Sequence, residues 1–255
     1  MVAYIIVLIV AYLIGSVNFS VIISKKMAGF DVREKGSGNA GSTNVLRTVG
    51  KKAALMTLCC DILKGVVAVL IACLIGRFSK TLIPAVLVEL AALGVVIGHT
   101  YPIFFGFRGG KGVATSLGII LIINWKIGIA CLIFALAIMA ITRMVSLGSV
   151  SAAVLFAVLT LIIRDTYITG EYHWSYIIFG IILATIVIFN HRTNIKRIIS
   201  GTENKLSFKK KEEKVEETKT EEPEEKKEEN VAKNSEEEVE VKEAPQIEID
   251  ENKGE

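Results

Sequence analysis

Seven apolar runs, at about 3–23, 53–76, 81–98, 112–124, 126–142, 145–163 and 174–190, leave this chain few ways to fold. A helix needs about 20 apolar residues to cross a bilayer core, and somewhat fewer where protein lines its polar groups. Hydrophobic residues make up 52% of the 255 and the mean hydropathy is +0.52, both high for a soluble domain. The alternating strands of a barrel are missing, and helices are then the only scaffold that satisfies its own backbone in lipid. The predicted fold is all-α: a polytopic bundle of seven transmembrane helices.

The seven-span count depends on dividing residues 112–142. Asn124-Trp125-Lys126 argues for a break there, because Trp and Lys favour the membrane interface and a mid-membrane Lys is costly. Basic residues then fix the orientation. The 24–52 loop carries Lys25, Lys26, Arg33, Lys35, Arg47, Lys51 and Lys52. Placing it inside also places Arg108, Lys111, Arg143, Arg192, Lys196 and Arg197 inside, and leaves only Arg77, Lys80, Lys126 and Arg164 outside. The positive-inside rule selects this solution, with the N-terminus outside and the C-terminus cytoplasmic. The first run lacks a basic flank and a good cleavage site, so it reads as a retained span rather than a signal peptide.

Charge divides the chain in two. Residues 1–204 hold 18 Lys+Arg against 7 Asp+Glu, whereas 205–255 hold 11 against 19. The first part is a membrane-embedded domain suited to anionic headgroups or substrates. The second, built of Lys/Glu runs, lacks the apolar surface to offset its ordering entropy and reads as a disordered cytoplasmic tail. The alternative for the tail is a dock for a partner. Cys59, Cys60, Cys73 and Cys131 lie in apolar runs without metal-ligand spacing and read as small buried hydrophobes.

Four polar clusters interrupt the apolar chain, all on the cytoplasmic side of this topology. The first is Gly36-Ser37-Gly38-Asn39-Ala40-Gly41-Ser42-Thr43-Asn44, followed by Arg47. Its glycines permit positive φ and exposed N–H groups, its hydroxyls and amides add donors, and Arg47 can grip a phosphate in bidentate fashion. The second runs from Gly98-His99-Thr100 to Arg108-Gly109-Gly110-Lys111-Gly112. It has the composition of a phosphate cradle but fails the P-loop pattern, since Gly112 follows Lys111. The third is Arg143-Met144-Val145-Ser146-Leu147-Gly148-Ser149, whose serines could equally be helix-packing residues. The fourth is Asn190-His191-Arg192-Thr193-Asn194-Ile195-Lys196-Arg197, then Gly201 and Glu203. His191 is an acid/base or anion-ligand candidate there; a plain membrane-surface anchor is the alternative. Asp61 and Lys64, three apart, can share a helix face and pair.

Some chemistry is disfavoured. The H-x-x-x-x-D signature of acyl-CoA-dependent glycerolipid acyltransferases is missing, as are a Mg²⁺-diphosphate acidic cluster and a Cys/His/carboxylate metal set. A transporter or flippase for a phosphorylated lipid precursor would need polar access on both faces. A membrane anchor recruiting partners through its tail would leave the four clusters idle.

Taken together, 36–47, Asp61-Ile62-Leu63-Lys64-Gly65, 98–115, 145–149 and 191–194 with Gly201 and Glu203 resemble the bacterial acyl-phosphate-dependent glycerol-3-phosphate acyltransferases. The resemblance covers about residues 3–204. It implies a multi-pass enzyme of the bacterial plasma membrane with a cytoplasm-facing site. The enzyme would transfer a fatty acyl group from acyl phosphate to the 1-hydroxyl of sn-glycerol 3-phosphate, giving lysophosphatidate and phosphate, the first step of phospholipid synthesis. No metal and no cofactor are implied. Partners would be these two substrates, membrane lipid and a peripheral enzyme producing acyl phosphate, but no nucleic acid. Carried over by position, the catalytic residues are Ser37, Arg47, Lys111, His191 and Asn194. Gly36, Gly38, Asn39, Gly41, Thr43, Asn44, Gly109, Gly110, Gly112 and Ser149 would bind substrate and phosphate. Asp61, Lys64, His99 and Glu203 are structural or site-supporting. The donor's phosphate or His191 would accept the hydroxyl proton, with no acylated side chain.

Overall fold

The computed structural model describes residues 2–78, 82–163, 168 and 173–206; the tail reading for 205–255 lies almost wholly outside them. Among the described residues the regular elements are all helices: α1 Val2–Gly15, α2 Phe19–Ala28, α3 Ser42–Thr48, α4 Lys51–Arg77, α5 Pro84–Thr100, α6 Val113–Ile123, α7 Trp125–Thr142, α8 Val145–Ile162, α9 Ser175–Asn190 and α10 Arg192–Ile199. Short 3-10 turns lie at Val32–Glu34 and Ile103–Phe105.

Among the described residues, five segments are long and apolar enough to cross a membrane: Val2–Ala28 taken through its break, α4, Pro84–Phe105, α7 and α8. The pair α9 and α10 makes a sixth, bent by 62°. The seventh expected run, 112–124, is the 11-residue α6. At 1.5 Å per residue such a helix is only about half the hydrocarbon thickness.

The first expected span, 3–23, is not one helix. The chain breaks at Ser16-Val17-Asn18, where the Asn18 side chain accepts the Val21 N–H at 3.3 Å and restarts the helix as α2. An amide side chain that caps offers the backbone an alternative to continued helix. The break between α6 and α7 falls where the sequence places it. Asn124 caps α7 by accepting the Ile127 N–H at 3.2 Å, and Trp125 opens the helix half exposed.

α5 is the central helix. It packs against α1, α4 and α9, while α4 lies on α6, α6 on α7, α7 on α8 and α8 on α9. Small residues allow close approach, which is how helices associate where lipid removes the hydrophobic drive. A Cβ on Gly65 of α4 would stand 2.5 Å from the Thr115 carbonyl oxygen, and one on Gly118 of α6 would stand 2.3 Å from that of Ile62. The core runs through Val95, Val96, Ile119, Phe156 and Phe179. The cysteines only partly follow the expectation of burial: Cys131 is buried, Cys60 and Cys73 are half-buried and Cys59 is exposed, its side of α4 being the outward apolar one. All four are free thiols.

Candidate active site

The four polar clusters, scattered over 36–203 in sequence, converge on one cavity of about 800 Å³. Its polar end is lined by Ser37, Arg47, Lys111, His191, Asn194 and Arg197, and its apolar end by Leu132, Leu136, Phe156 and Leu183. Helix termini bring the polar groups together: Arg47 lies in the last turn of α3, Lys111 just before α6, Ser146 in the first turn of α8, and His191 at the α9–α10 bend.

A hydrogen-bond chain organises this end. The Lys111 ammonium donates to Asn194 Oδ1. The Asn194 amide nitrogen donates to Glu203 Oε1 at 2.7 Å, which also accepts from Ser146 Oγ at 2.7 Å. Arg197 Nε donates to Glu203 Oε2 at 2.9 Å. Burial pushes the Glu203 carboxyl up, but the bonds from Arg197, Asn194 and Ser146 outweigh it and hold the group below the usual carboxylate range. Glu203 therefore fixes which way Asn194 points, and Asn194 holds the Lys111 ammonium. Arg47 reaches the residue next to Glu203, its guanidinium 3.5 Å from the Asn204 carbonyl oxygen.

Burial, together with the nearby Arg197 and Arg47 cations, pushes the Lys111 ammonium down to about 8, with Glu203 pulling the other way. His191 is pushed down to about 4 by burial and by the Lys111 charge, so its ring is neutral at pH 7. Nδ1 lies 2.7 Å from the Val187 carbonyl oxygen, which can only accept, so Nδ1 carries the proton and Nε2 keeps its lone pair. That is the protonation state a general base requires.

The glycine loops act partly as the sequence suggests. Gly36 and Gly38 have φ of 63° and 70°, and Gly112, at 83°, starts α6; Gly41 instead has extended backbone and caps α3. The Gly109 and Gly110 N–H groups are not free to cradle a phosphate. They donate to the Thr100 and His99 carbonyls at 3.1 Å each, taking up the carbonyls that end α5. Asn44 lines the cavity but is committed to its own loop: Oδ1 accepts the Ser37 N–H at 2.9 Å, and Nδ2 donates to the Val32 and Lys35 carbonyls at 2.9 and 3.0 Å. Thr43, Asn39 and Ser149 also line the cavity, the Ser149 hydroxyl donating to the Val145 carbonyl at 2.9 Å.

Three contributors carried weaker sequence signals. Ser146 and Arg197 read equally well as packing and anchoring residues, yet both hold Glu203. Arg33 counted only as positive-inside charge. It pairs with Asp31 at 2.8 Å and donates to the Phe105 and Arg108 carbonyls at 2.6 and 3.2 Å, tying the first glycine loop to the turn before Lys111. The Arg33 hydrogen bonds hold the Asp31 carboxyl down at about 2.

Such a cavity can hold oxyanions at its cationic end and a hydrocarbon chain at the other. The profile described as glycerol-3-phosphate acyltransferase matches residues 5–201. The glycerol-3-phosphate acyltransferase of Clostridioides difficile (strain 630) is 46% identical over 210 residues, covering 82% of this chain and 98% of its own. That of Thermoanaerobacter sp. (strain X514) is 42% identical over 201 residues, covering 79% and 94%. The crystal structure of PlsY (YgiH), an integral membrane glycerol 3-phosphate acyltransferase, in its glycerol 3-phosphate form aligns with a TM-score of 0.69 at 34% identity, over 80% of this chain and 96% of that one. Its lysophosphatidic acid form aligns with a TM-score of 0.67 at 32% identity, over 80% and 95%. A family match over residues 5–201, with a relative 46% identical across 82% of this chain, leaves one conclusion: the chain belongs to the glycerol-3-phosphate acyltransferase family.

Proposed function

We propose that this protein transfers a fatty acyl group from acyl phosphate to the 1-hydroxyl of sn-glycerol 3-phosphate, releasing 1-acyl-sn-glycerol 3-phosphate and inorganic phosphate. The observation that carries the reading is the two-ended cavity, with Lys111, Arg47 and Arg197 at one end and Leu132, Leu136, Phe156 and Leu183 at the other. Both reactants bear a phosphate and one bears an acyl chain. Two anions meeting at one acyl carbon repel each other, and several cations in a partly buried site offset that repulsion. The relative crystallised in glycerol 3-phosphate and lysophosphatidic acid forms supports glycerol 3-phosphate as acceptor and lysophosphatidate as product.

Acyl phosphate already carries a good leaving group, so the protein's task is to position the reactants and stabilise the oxyanion. The hydroxyl oxygen of glycerol 3-phosphate attacks the acyl carbon, an ester C–O bond forms and the anhydride C–O bond to phosphate breaks. The hydroxyl proton passes to the departing phosphate or to His191 Nε2. Ser37 is exposed, and its hydroxyl has no hydrogen-bonded base among the described residues, which favours direct transfer over an acyl-serine intermediate. Lys111, Arg47 and the Ser37 loop engage phosphate oxygens, and Asn194 holds Lys111 in place.

The site lies on the cytoplasmic face of a bacterial plasma membrane; with the short, protein-lined α6 counted as a seventh crossing, the N-terminus is outside and the C-terminus inside. The Lys/Arg distribution supports this topology. An acyl-phosphate-producing enzyme at that face is the natural donor source. Purified protein given palmitoyl phosphate and glycerol 3-phosphate should form lysophosphatidate, with palmitoyl-CoA inactive as donor. Equal rates with palmitoyl-CoA would contradict the donor assignment.

A further inference from the structure

Three titratable side chains beside the cavity take no part in the reaction above. Asp61 and Lys64 of α4 and His99 of α5 are 2%, 4% and 5% exposed. Lys64 Nζ lies 2.9 Å from Asp61 Oδ1 and donates to the Val17 carbonyl at 3.0 Å, inside the break between α1 and α2. His99 Nδ1 approaches Asp61 Oδ1 at 3.5 Å. Burying such charges costs more than burying apolar groups of the same size, the more so at membrane depth. What they provide instead is direction.

The far edge of the His99 ring shows what is directed. A Cβ on Gly110 would stand 2.2 Å from His99 Nε2 and 2.7 Å from the Ala40 carbonyl oxygen. The Gly110 N–H also donates to the His99 carbonyl at 3.1 Å. Gly110 is thus seated against His99 by both main chain and ring, and against the first glycine loop on its other side. Lys111 is the next residue. Asp61 and His99 themselves reach the cavity wall.

We infer that Asp61, Lys64 and His99 form a buried strut that positions Lys111, by setting the seat of Gly110 on the end of α5. The inference deepens the acyltransferase reading and rests on its placement of Lys111 against phosphate. All three are positioning residues. Lys64 joins the strut to the broken first helix, Asp61 turns the imidazole, and the imidazole sets the loop. A displacement on the order of 1 Å at a group that grips a reacting phosphate costs up to roughly a hundredfold in rate.

A double-mutant cycle tests it, read as kcat/KM for glycerol 3-phosphate with thermal unfolding measured on the same samples. His99→Gln should lower kcat/KM by roughly ten- to a hundredfold with a near-native unfolding temperature. In a Lys111→Arg background the same change should cost far less, because groups acting through one another are non-additive. Asp61→Asn should behave as His99→Gln does, and it decides the matter if His99→Gln fails to fold. Equal losses in both backgrounds, or full activity in the single variants, would overturn the strut. A Lys111→Ala enzyme as active as wild type would instead sink the assignment of Lys111 and the strut with it.

Discussion

At the residue scale, Lys111 stands between opposing influences. Burial and two neighbouring cations disfavour its charge, Glu203 favours it, and the result is an ammonium that titrates at about 8. The free enzyme holds the cation below that pH and loses it above. A bound phosphate favours the charged form, so the effect belongs to kcat/KM rather than to kcat. We predict that kcat/KM for glycerol 3-phosphate falls as pH rises through about 8. In Lys111→Arg this alkaline limb should vanish, since a guanidinium stays charged. An identical limb in both enzymes would show that another group titrates. Lys111, His191 and Asn194 could be picked out as candidates in sequence because a basic or amide side chain inside an apolar chain stands out, and the structure brings all three to one cavity. The use of Gly109, Gly110 and Asn44 was not. Their composition suits a phosphate cradle, but their hydrogen bonds go to the end of α5 and to their own loop, and only three-dimensional structure shows where those acceptors lie.

Helices raise a different question, that of how closely they may approach. α4 and α6 touch through Gly65 and Gly118, each facing a backbone carbonyl of the other helix. Gly65→Ala puts a methyl 2.5 Å from the Thr115 oxygen, where the neighbour is backbone and cannot swing away. Overpacking of this kind costs about 1–3 kcal/mol. The expected outcome is a lower unfolding temperature in detergent, accompanied by lost activity, because α6 begins directly after Lys111. Element boundaries were legible wherever an interfacial residue interrupts an apolar run, as Asn124-Trp125-Lys126 does between α6 and α7. The break at Ser16-Val17-Asn18 was hidden by the apolar residues around it. One buried amide accepting one N–H, with Lys64 reaching across from α4 to the Val17 carbonyl, is too slight a signal to read along the chain.

On the scale of the whole molecule, the chain's order conceals the site. Residues 37, 47, 111, 146, 191, 194 and 203 meet only because α5, α6, α8 and α9 end at the same level of the bundle. Hydropathy reports which segments are apolar, and the Lys/Arg count reports which ends share a side; neither reports that the ends form one cavity. Nor does hydropathy show that Leu132, Leu136 and Phe156 of α7 and α8 and Leu183 of α9 line the same cavity as the polar groups. The central claim is that two phosphates and one acyl chain meet there, and phosphate release from palmitoyl phosphate by the purified protein tests it most directly. Release should depend on glycerol 3-phosphate and should fall by at least about a hundredfold in Lys111→Ala, the scale of loss for a preorganised charge-stabilising group. Release that ignores glycerol 3-phosphate, or a Lys111→Ala enzyme of full activity, would contradict the account.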